Sequence, residues 1–230
     1  MTHHAARIFP TARRKAPRPF LPAMGKDWLL PLYDPVTRLF GVRKVHAELA
    51  QRAGLAPGQR VLEIGCGTGN LALLVKRRQP GAEVVALDPD PAALARAARK
   101  TARAGLSVQL DEGFAGSLPY PDDSFDRVLS AFMFHHLDDG EKRAALREVG
   151  RVLRPDGSLH LLDFGGAVAH QEGKVARLLH HSPRLKDNLG DGIPALMREA
   201  GLGDPVESGH RVTRVGPSTF YRAGAPGADH

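Results

Sequence analysis

Short apolar runs alternate with helix-like segments through the middle of the chain, and this alternation is the feature that most limits the fold. Arg60 to Ile64 and Phe125 to Ala131 are apolar enough to be inner strands, whereas Pro91 to Ala104 is rich in Ala and Arg and ends at Gly105. Strands that alternate with helices of this length predict a mostly parallel sheet covered on both faces. We therefore predict an α/β fold with a doubly wound sheet.

The other predicted elements follow the same rhythm and bring the number of strands to seven. They are helices at Asn70 to Arg78, Asp139 to Leu153 and Ile193 to Ala200, and strands at Glu83 to Leu87, Leu106 to Leu110, Ser158 to Leu162, Val206 to Val215 and Ser218 to Ala223. The segment Pro155-Asp-Gly157 is expected to stop the second of these helices, because proline cannot continue one. Gly165-Gly166 interrupt the rhythm and lead into a helical insertion at 166–188, which we expect to cover a site.

The length of 230 residues suits one domain, and 42% hydrophobic content is ample for its core. We expect a basic, Pro-rich tail at 1–23, a domain at 24–223 that opens with a helical cap at 24–56, and a C-terminal tail at 224–230. Translation from Met24 is an alternative start. We interpret the basic tail as a solvated segment. The alternative is that it binds nucleic acid or anionic lipid.

The cysteine count and the apolar runs bear on the compartment. Cys66 is the single cysteine, so an intrachain disulfide and a Cys-rich metal site are excluded. The apolar runs are too short to span a bilayer, and the first twenty residues lack the apolar core of a secretory signal. We expect a cytoplasmic protein.

Three glycines stand at alternate positions in "VLEIGCGTG", directly behind the first predicted strand. Gly65, Gly67 and Gly69 fall at the strand-to-helix turn, where doubly wound sheets bind ligands. The dinucleotide fingerprint is G-x-G-x-x-G, and here Asn70 occupies the place of its last glycine. The turn therefore predicts a ligand site and is a poorer fit to a dinucleotide, although it does not by itself distinguish NAD from other adenosine cofactors. A tight turn that binds nothing is the alternative.

An acidic residue, Asp88, ends the second predicted strand 19 residues beyond Gly69. A carboxylate at this place in a doubly wound sheet lies beside the first turn and can accept hydrogen bonds from ribose hydroxyls. Asp88 could instead cap the helix that follows, but Asp90 is better placed for that role. The turn and Asp88 together predict a nucleoside site.

Four segments in order carry a family resemblance. They are "VLEIGCGTG", "VVALDPDPAAL", "GSLPYPDDSFDRVLSAFMFHHLDD" and "ALREVGRVLRPDGSLHLLDFG". The chain resembles class I S-adenosylmethionine-dependent methyltransferases, and within them the group of ubiquinone and menaquinone C-methyltransferases and related small-molecule enzymes. The resemblance implies a Rossmann-like, seven-stranded sheet, S-adenosylmethionine as cofactor, and methyl transfer to a small molecule, for which a hydrophobic quinone precursor is one candidate.

The same resemblance implies residue roles. Backbone atoms of Gly65 and Gly67 would lie against the methionyl part of the cofactor, Glu63 would support its amino group, and Asp88 would bind the ribose. Tyr33 would close over the cofactor from the N-terminal helices. The full implied set of cofactor-binding residues is Tyr33, Glu63, Gly65, Cys66, Gly67, Asp88, Pro89, Phe114, Ala115, Ser130 and Phe132.

One position departs from the family pattern. The family commonly has Gly-Asp-Ala where this chain has Gly113-Phe114-Ala115. Phe114 offers stacking or apolar contact to an adenine and cannot accept a hydrogen bond from it. Adenine recognition would then rest on backbone groups around Ala115 or on Glu112, and we expect weaker cofactor affinity than is usual.

Methyl transfer from a sulfonium is an in-line displacement that needs a nucleophile held behind the methyl group in a water-poor pocket. A base is needed only where the acceptor must lose a proton. His135 and His136 follow the fourth predicted strand, and we name His135 as the candidate base. The alternative role is a hydrogen bond that orients the loop. No metal site is expected, because the other histidine pairs, His3-His4 and His180-His181, have no neighbouring Cys or carboxylate cluster.

Two rival functions are compatible with the sequence. A nicotinamide-dependent oxidoreductase could use a similar sheet, but the glycine spacing and the "PDDSFD" and "LRPDG" segments are atypical of that class. A nonenzymatic methyltransferase-like binding protein is the other rival, and Phe114 is the hint for it. We expect no nucleic-acid partner, because much of the excess positive charge lies in the tail and no motif for a flipped base is present.

Overall fold

The structure is a computed structural model that describes residues 41–166, 188–213 and 216–227. It has seven strands there: β1 Arg60–Ile64, β2 Glu83–Asp88, β3 Gln109–Glu112, β4 Phe125–Ala131, β5 Leu153–Asp163, β6 Leu202–Thr213 and β7 Gly216–Pro226. They form one sheet in the order β3-β2-β1-β4-β5-β7-β6. Strands β1 to β5 pair in parallel, and β7 is antiparallel to β5 and β6. The predicted fold class is confirmed.

Helices cover both faces of this sheet. They are α1 Val42–Arg52, α2 Asn70–Arg78, α3 Pro91–Ala104, α4 Asp139–Val152 and α5 Gly192–Glu199, with a short 3-10 helix at Phe134–His136. Helices α1 to α3 pack on one face in a core that includes Val61, Leu129 and Phe220. Helices α4 and α5 pack on the other face with Val128 and Leu161. Below, these are called the α1–α3 face and the α4–α5 face.

The ends of the helices follow local side-chain chemistry. The Asp90 carboxylate accepts a hydrogen bond from the Ala92 N–H at the start of α3, and Gly105 ends that helix in the left-handed region. The predicted cap is therefore confirmed. Asp138 and Glu141 form a reciprocal capping box at the start of α4. These caps fix where each helix meets the carboxyl edge of the sheet, which is the edge at which the parallel strands end.

Four predicted strand boundaries differ from the structure by three residues or more. Strand β6 begins at Leu202 instead of Val206. Strand β3 begins at Gln109 instead of Leu106. Strand β5 begins at Leu153, because Leu153 pairs with Phe125 before the register shifts and pairing resumes at Ser158. The segment after α4 is thus an irregular part of a strand. Strand β7 continues through Pro226, into the region that we expected to be a C-terminal tail.

Several expectations concern residues outside the described part of the chain. These are the basic tail, most of the helical cap with Tyr33, and residues 167–187 of the insertion. Among the described helices, none has the length and the apolar character needed to cross a membrane.

Candidate functional site

The glycine turn after β1 lies against the end of β2. Gly65, Gly67 and Gly69 all have left-handed φ angles, of 71°, 52° and 74°. The N–H groups of Gly65 and Cys66 donate to the Leu87 carbonyl at 2.8 and 3.1 Å. A Cβ on residue 67 would meet no described atom within 4 Å, whereas a Cβ on residue 65 would overlap the Met133 side chain. The backbone of Gly67 is therefore open to the approach of a ligand.

The Asp88 carboxylate is held beside this turn by two backbone N–H groups. Its Oδ2 accepts from Gly67 at 2.7 Å and its Oδ1 accepts from Asp90 at 2.9 Å. Burial raises the pKa of Asp88 and these two hydrogen bonds oppose that rise. Each carboxylate oxygen can accept more than one hydrogen bond. The oriented carboxylate can therefore also bind the hydroxyls of a ribose.

Glu63 carries an acceptor without a partner. It lies in β1 and is 3% exposed, and its Oε2 has no hydrogen-bond partner among the described residues. Burial raises its pKa to about 8, the Asp88 charge adds to this effect, and a hydrogen bond from Ala72 and the charge of Lys100 oppose it. A buried carboxyl with an unused oxygen fits a cationic amino group. The Glu63 carboxyl and the open backbone at Gly67 therefore fit the methionyl part of S-adenosylmethionine.

Other predicted residues line the same edge. The Gly113 N–H donates to the Asp88 carbonyl at 3.1 Å, so the turn that contains Phe114 and Ala115 starts beside the end of β2. Pro89 is half-buried at that point. Cys66 is buried, and burial raises the pKa of its thiol well above the ordinary value. A neutral thiol is a poor nucleophile, so Cys66 is a small residue of the turn.

The structure separates Ser130 from the acidic residues. Ser130 pairs with Ile64 in the sheet, and its position two residues after Val128 places its side chain on the α4–α5 face. Its Oγ is buried without a partner among the described residues. Glu63 lies on the α1–α3 face, one residue from Ile64. Ser130 can therefore line the cofactor only from the other side of the sheet.

Phe132 begins an aromatic cluster after β4. It has a φ of 55°, and its N–H donates to the Leu162 carbonyl at 2.8 Å. Its ring centroid lies 5.1 Å from that of Phe164 and 6.3 Å from that of His46. The Phe164 ring also meets the His135 ring edge-on at 5.0 Å. The rings of Phe132, Phe164 and His135 form one aromatic surface at the ends of β4 and β5, which we call the aromatic wall.

His135 forms a hydrogen bond with a buried carboxylate, that of Asp163, at the end of β5. His135 Nδ1 and Asp163 Oδ1 are 2.7 Å apart, and Asp163 is fully buried while the His135 side chain is 16% exposed. The carboxylate also accepts the N–H groups of His135, at 3.1 Å, and of Phe164, at 2.7 Å. Because a carboxylate can only accept, His135 Nδ1 carries the proton. Its Nε2 therefore has a free lone pair with which to take up a proton.

Asp163 is not among the predicted site residues, although it ends a strand in "LLDFG" as Asp88 does in "ALDPD". Lys142 is not among them either, and it is fully buried and donates to Asn188 Oδ1 at 2.8 Å. Asn188 in turn donates to the Phe164 carbonyl at 3.3 Å. His46 is a third buried polar residue, and burial is the main cause that lowers its pKa to about 4. A neutral imidazole thus lies beside the aromatic wall.

Comparisons with known proteins show what the chain is similar to. The profile of a family described as Methyltransferase domain matches residues 61–157. A demethylmenaquinone methyltransferase of Deinococcus radiodurans is 38% identical over 204 residues, which cover 85% of this chain and 84% of that relative. One of Thermus thermophilus is 45% identical over 142 residues, which cover 59% of this chain but only 62% of that relative, less than two thirds of its length.

A solved structure shares the fold. It is a SAM-dependent methyltransferase from Aquifex aeolicus, with a TM-score of 0.63, 24% identity, and coverage of 86% of this chain and 97% of that one. The predicted cofactor, S-adenosylmethionine, and the predicted enzyme class are confirmed by these matches. The sheet order, the turn with the buried acids beside it, and the Deinococcus match lead to one conclusion. The chain belongs to the S-adenosylmethionine-dependent methyltransferases.

Proposed function

We propose that the chain methylates a reduced quinone or a similar apolar phenol in the cytoplasm, with His135 as the base that takes up the proton of the acceptor. The observation that carries this proposal is the hydrogen bond between His135 and the buried Asp163 at the carboxyl edge of the sheet. The names of the Deinococcus and Thermus relatives, both demethylmenaquinone methyltransferases, support the acceptor class.

The cofactor would be held by the residues around the glycine turn. Glu63 Oε2 would accept from its amino group, Asp88 would accept from its ribose hydroxyls, and the backbone at Gly67 would lie against its methionyl chain. Pro89, Phe114 and Ala115 would contact the adenine. Tyr33 remains a prediction for the same site. When bound, S-adenosylmethionine supplies an electrophilic methyl group on a sulfonium.

The acceptor would lie against the aromatic wall formed by Phe132, Phe164 and His135. Rings at centroid distances of 5.0 and 5.1 Å give an apolar surface suited to a flat aromatic molecule. A phenol hydroxyl beside the wall can donate its proton to His135 Nε2. Removal of that proton raises the electron density on the phenol oxygen and on the adjacent ring carbons. These atoms would accept the methyl group as its bond to the sulfonium sulfur breaks, and a ring carbon would then release its own proton.

Asp163 supports this proton transfer without leaving its place. It fixes the tautomer of His135 through the Nδ1 proton, and its negative charge stabilises the imidazolium that forms when Nε2 takes up a proton. Because Asp163 is fully buried and accepts two further backbone N–H groups, its position is tightly defined. The pair therefore has a base and an orienting residue in separate roles.

The test is methylation of a demethylated naphthoquinol, followed by mass spectrometry, with the variant His135→Gln. We expect product with the wild-type chain and a kcat about 10²- to 10⁴-fold lower in the variant. The dissociation constant of S-adenosylhomocysteine, measured by calorimetry, should not change.

The matched control is His210→Gln, a histidine exposed on β6, and we expect it to retain full activity. Full kcat in His135→Gln would exclude His135 as the base. Absence of product with a series of quinols and phenols, despite cofactor binding, would exclude the acceptor class.

A further inference from the structure

The two helical faces of the molecule carry very different charge. Helices α1, α2 and α3 together contain ten Lys or Arg residues and one acidic residue, Glu48, a formal net charge of +9. Helices α4 and α5 contain five basic and four acidic residues, a net charge of +1. The positive charge of the described domain is therefore concentrated on the α1–α3 face.

Six of the ten basic side chains form neither an ion pair nor a hydrogen bond with any described residue, and five of these six are exposed. Arg52 pairs with Glu48, while Lys76, Arg78 and Lys100 bind oxygen atoms of neighbouring residues. The six are Arg43, Lys44, Arg77, Arg96, Arg99 and Arg103, of which Arg96 is half-buried. No salt bridge within the described domain neutralises this surface, which we call the basic face.

Helix α1 connects the basic face to the functional site. The Ala53 carbonyl, just after α1, accepts from Arg127 near the start of β4, whereas His46 in mid-helix lies beside Phe132 just after the end of β4. Helix α1 therefore runs from the carboxyl edge of the sheet towards its amino edge. Arg43 and Lys44, which precede His46, lie at the end of the helix that borders the site.

The composition of these helices favours a lipid surface over a nucleic acid. They contain no Phe, Tyr or Trp, so they offer no ring on which an unpaired base could stack. A broad layer of arginines and lysines attracts the phosphates of anionic lipids without any need for shape recognition. An apolar acceptor would itself dissolve in a bilayer, and this part of the inference rests on the proposed function.

We propose that the basic face binds the surface of an anionic phospholipid bilayer and so holds the rim of the methyltransferase site next to an apolar acceptor. Each Lys or Arg near such a surface strengthens binding about fivefold. The attraction falls off within a Debye length, about 8 Å at physiological salt. Binding should therefore weaken steeply as salt is added.

The test is co-sedimentation of the full chain with phosphatidylcholine vesicles that contain about 30% of an anionic lipid, phosphatidylglycerol. We expect binding to these vesicles, little binding to pure phosphatidylcholine, and release by added salt. The double variant Arg99→Glu/Arg103→Glu should lower the partition coefficient at least tenfold, because both changes fall on the basic face.

The matched control is Arg147→Glu, an exposed arginine of α4 without an ion pair in the described domain. Its partition coefficient should stay within about twofold of wild type. Circular dichroism and the melting temperature of each variant show that the fold is intact.

Equal loss in Arg147→Glu and Arg99→Glu/Arg103→Glu would overturn the proposal, as would equal binding to both vesicle types. Release of the protein from vesicles by transfer RNA at the same phosphate concentration would identify nucleic acid as the preferred partner and would also overturn it. Partitioning is measured without an acceptor. A failure of the proposed function therefore shows in the naphthoquinol assay alone, and a failure of the lipid proposal shows in sedimentation alone.

Discussion

Glu63 and Asp163 are two buried carboxyl groups in parallel strands of one sheet, and their surroundings differ in a telling way. Glu63, on the α1–α3 face, has an oxygen with no partner among the described residues, and burial raises its pKa to about 8. Asp163, on the α4–α5 face, accepts from one imidazole and two backbone N–H groups. The first carboxyl has capacity left for a ligand, whereas the second is already committed to the protein.

This difference separates a residue that binds from a residue that positions. A buried polar atom without a partner costs free energy until a ligand supplies one. A carboxylate with three donors holds the groups around it in place. We therefore expect substitutions at Glu63 to alter cofactor binding and substitutions at Asp163 to alter the reaction rate.

The largest expected effect is that of Asp163→Asn. The amide keeps the shape of the side chain but has one acceptor oxygen, so it cannot accept all three hydrogen bonds. Its NH2 group would face one of the hydrogen-bond donors without forming a bond. We expect kcat to fall about 10²- to 10⁴-fold, because the tautomer of His135 is no longer fixed. The measurement is kcat at saturating cofactor, with Asp191→Asn, an exposed acid paired with Arg198, as control. A wild-type rate in Asp163→Asn would remove the positioning role.

A smaller effect is expected from Glu63→Gln, and on a different quantity. The amide is neutral and cannot pair with a cationic amino group, so the affinity for S-adenosylhomocysteine should fall about 10- to 100-fold by calorimetry. Above pH 4.5 the free variant should be more stable than the wild-type chain, because unfolding lets Glu63 ionise in the wild-type chain and has no such effect on the amide. Lower stability together with unchanged affinity would mean that Glu63, like Asp163, supports the protein and does not bind the cofactor.

The pH dependence of cofactor binding sharpens the same comparison. Glu63 has a folded pKa of about 8, above its unfolded value of 4.5, so its protonated form dominates in the free protein at neutral pH. Binding of a cationic amino group needs the carboxylate. The affinity should therefore increase by up to about tenfold for each unit by which the pH is raised, until pH 8 is reached. Calorimetry in buffers of different ionisation enthalpy should also detect proton release. Affinity in Glu63→Gln should not show this rise.

The smallest expected effect is on acid stability. Burial lowers the folded pKa of His160 to about 3 and that of His46 to about 4, from an ordinary value of 6.5. The unfolded chain therefore binds more protons below pH 6.5, and the stability contributed by the neutral rings is lost as pH falls from there towards 4. Each histidine should contribute about 1 kcal/mol per pH unit. Glu63 acts in the opposite direction, because its contribution is lost as pH rises from 4.5 to 8.

Chemical denaturation at pH 5.5 and 6.5 measures this effect. The variant His160→Gln should show a weaker fall in unfolding free energy over that interval than the wild-type chain. An equal fall in both proteins would mean that His160 is not the group that titrates.

Much of the fold can be predicted from the residues that mark the ends of helices and strands. The bounds of β1, β4, α2 and α3 match the prediction, because glycines or an Asp-Pro pair mark the ends of the helices and an apolar run marks each strand. The pattern predicts the start of β3 three residues too early, because Leu106 fits a strand, whereas Gln109, Asp111 and Glu112 of the four paired residues are polar. The irregular start of β5 depends on pairing with Phe125, which no local pattern shows.

The cofactor side of the site was easier to predict than the acceptor side. Glu63, Gly67 and Asp88 belong to two short motifs at the ends of adjacent strands, so their proximity follows from sheet topology. His135 and Asp163 are 28 residues apart, and only the meeting of a loop with the end of β5 brings them together. Lys142 lies in a charged helix, and only the packing of Asn188 against it shows that it is buried.

The support of the base at residue 135 is largely independent of the base itself. Two of the three hydrogen bonds to Asp163 come from main-chain N–H groups, those of residues 135 and 164, and any residue other than proline supplies such a group. The loop after β4 would thus keep its shape with another side chain at position 135. A chain of this design can exchange its reactive group, and with it the range of acceptors, while the scaffold that presents the group persists through the change.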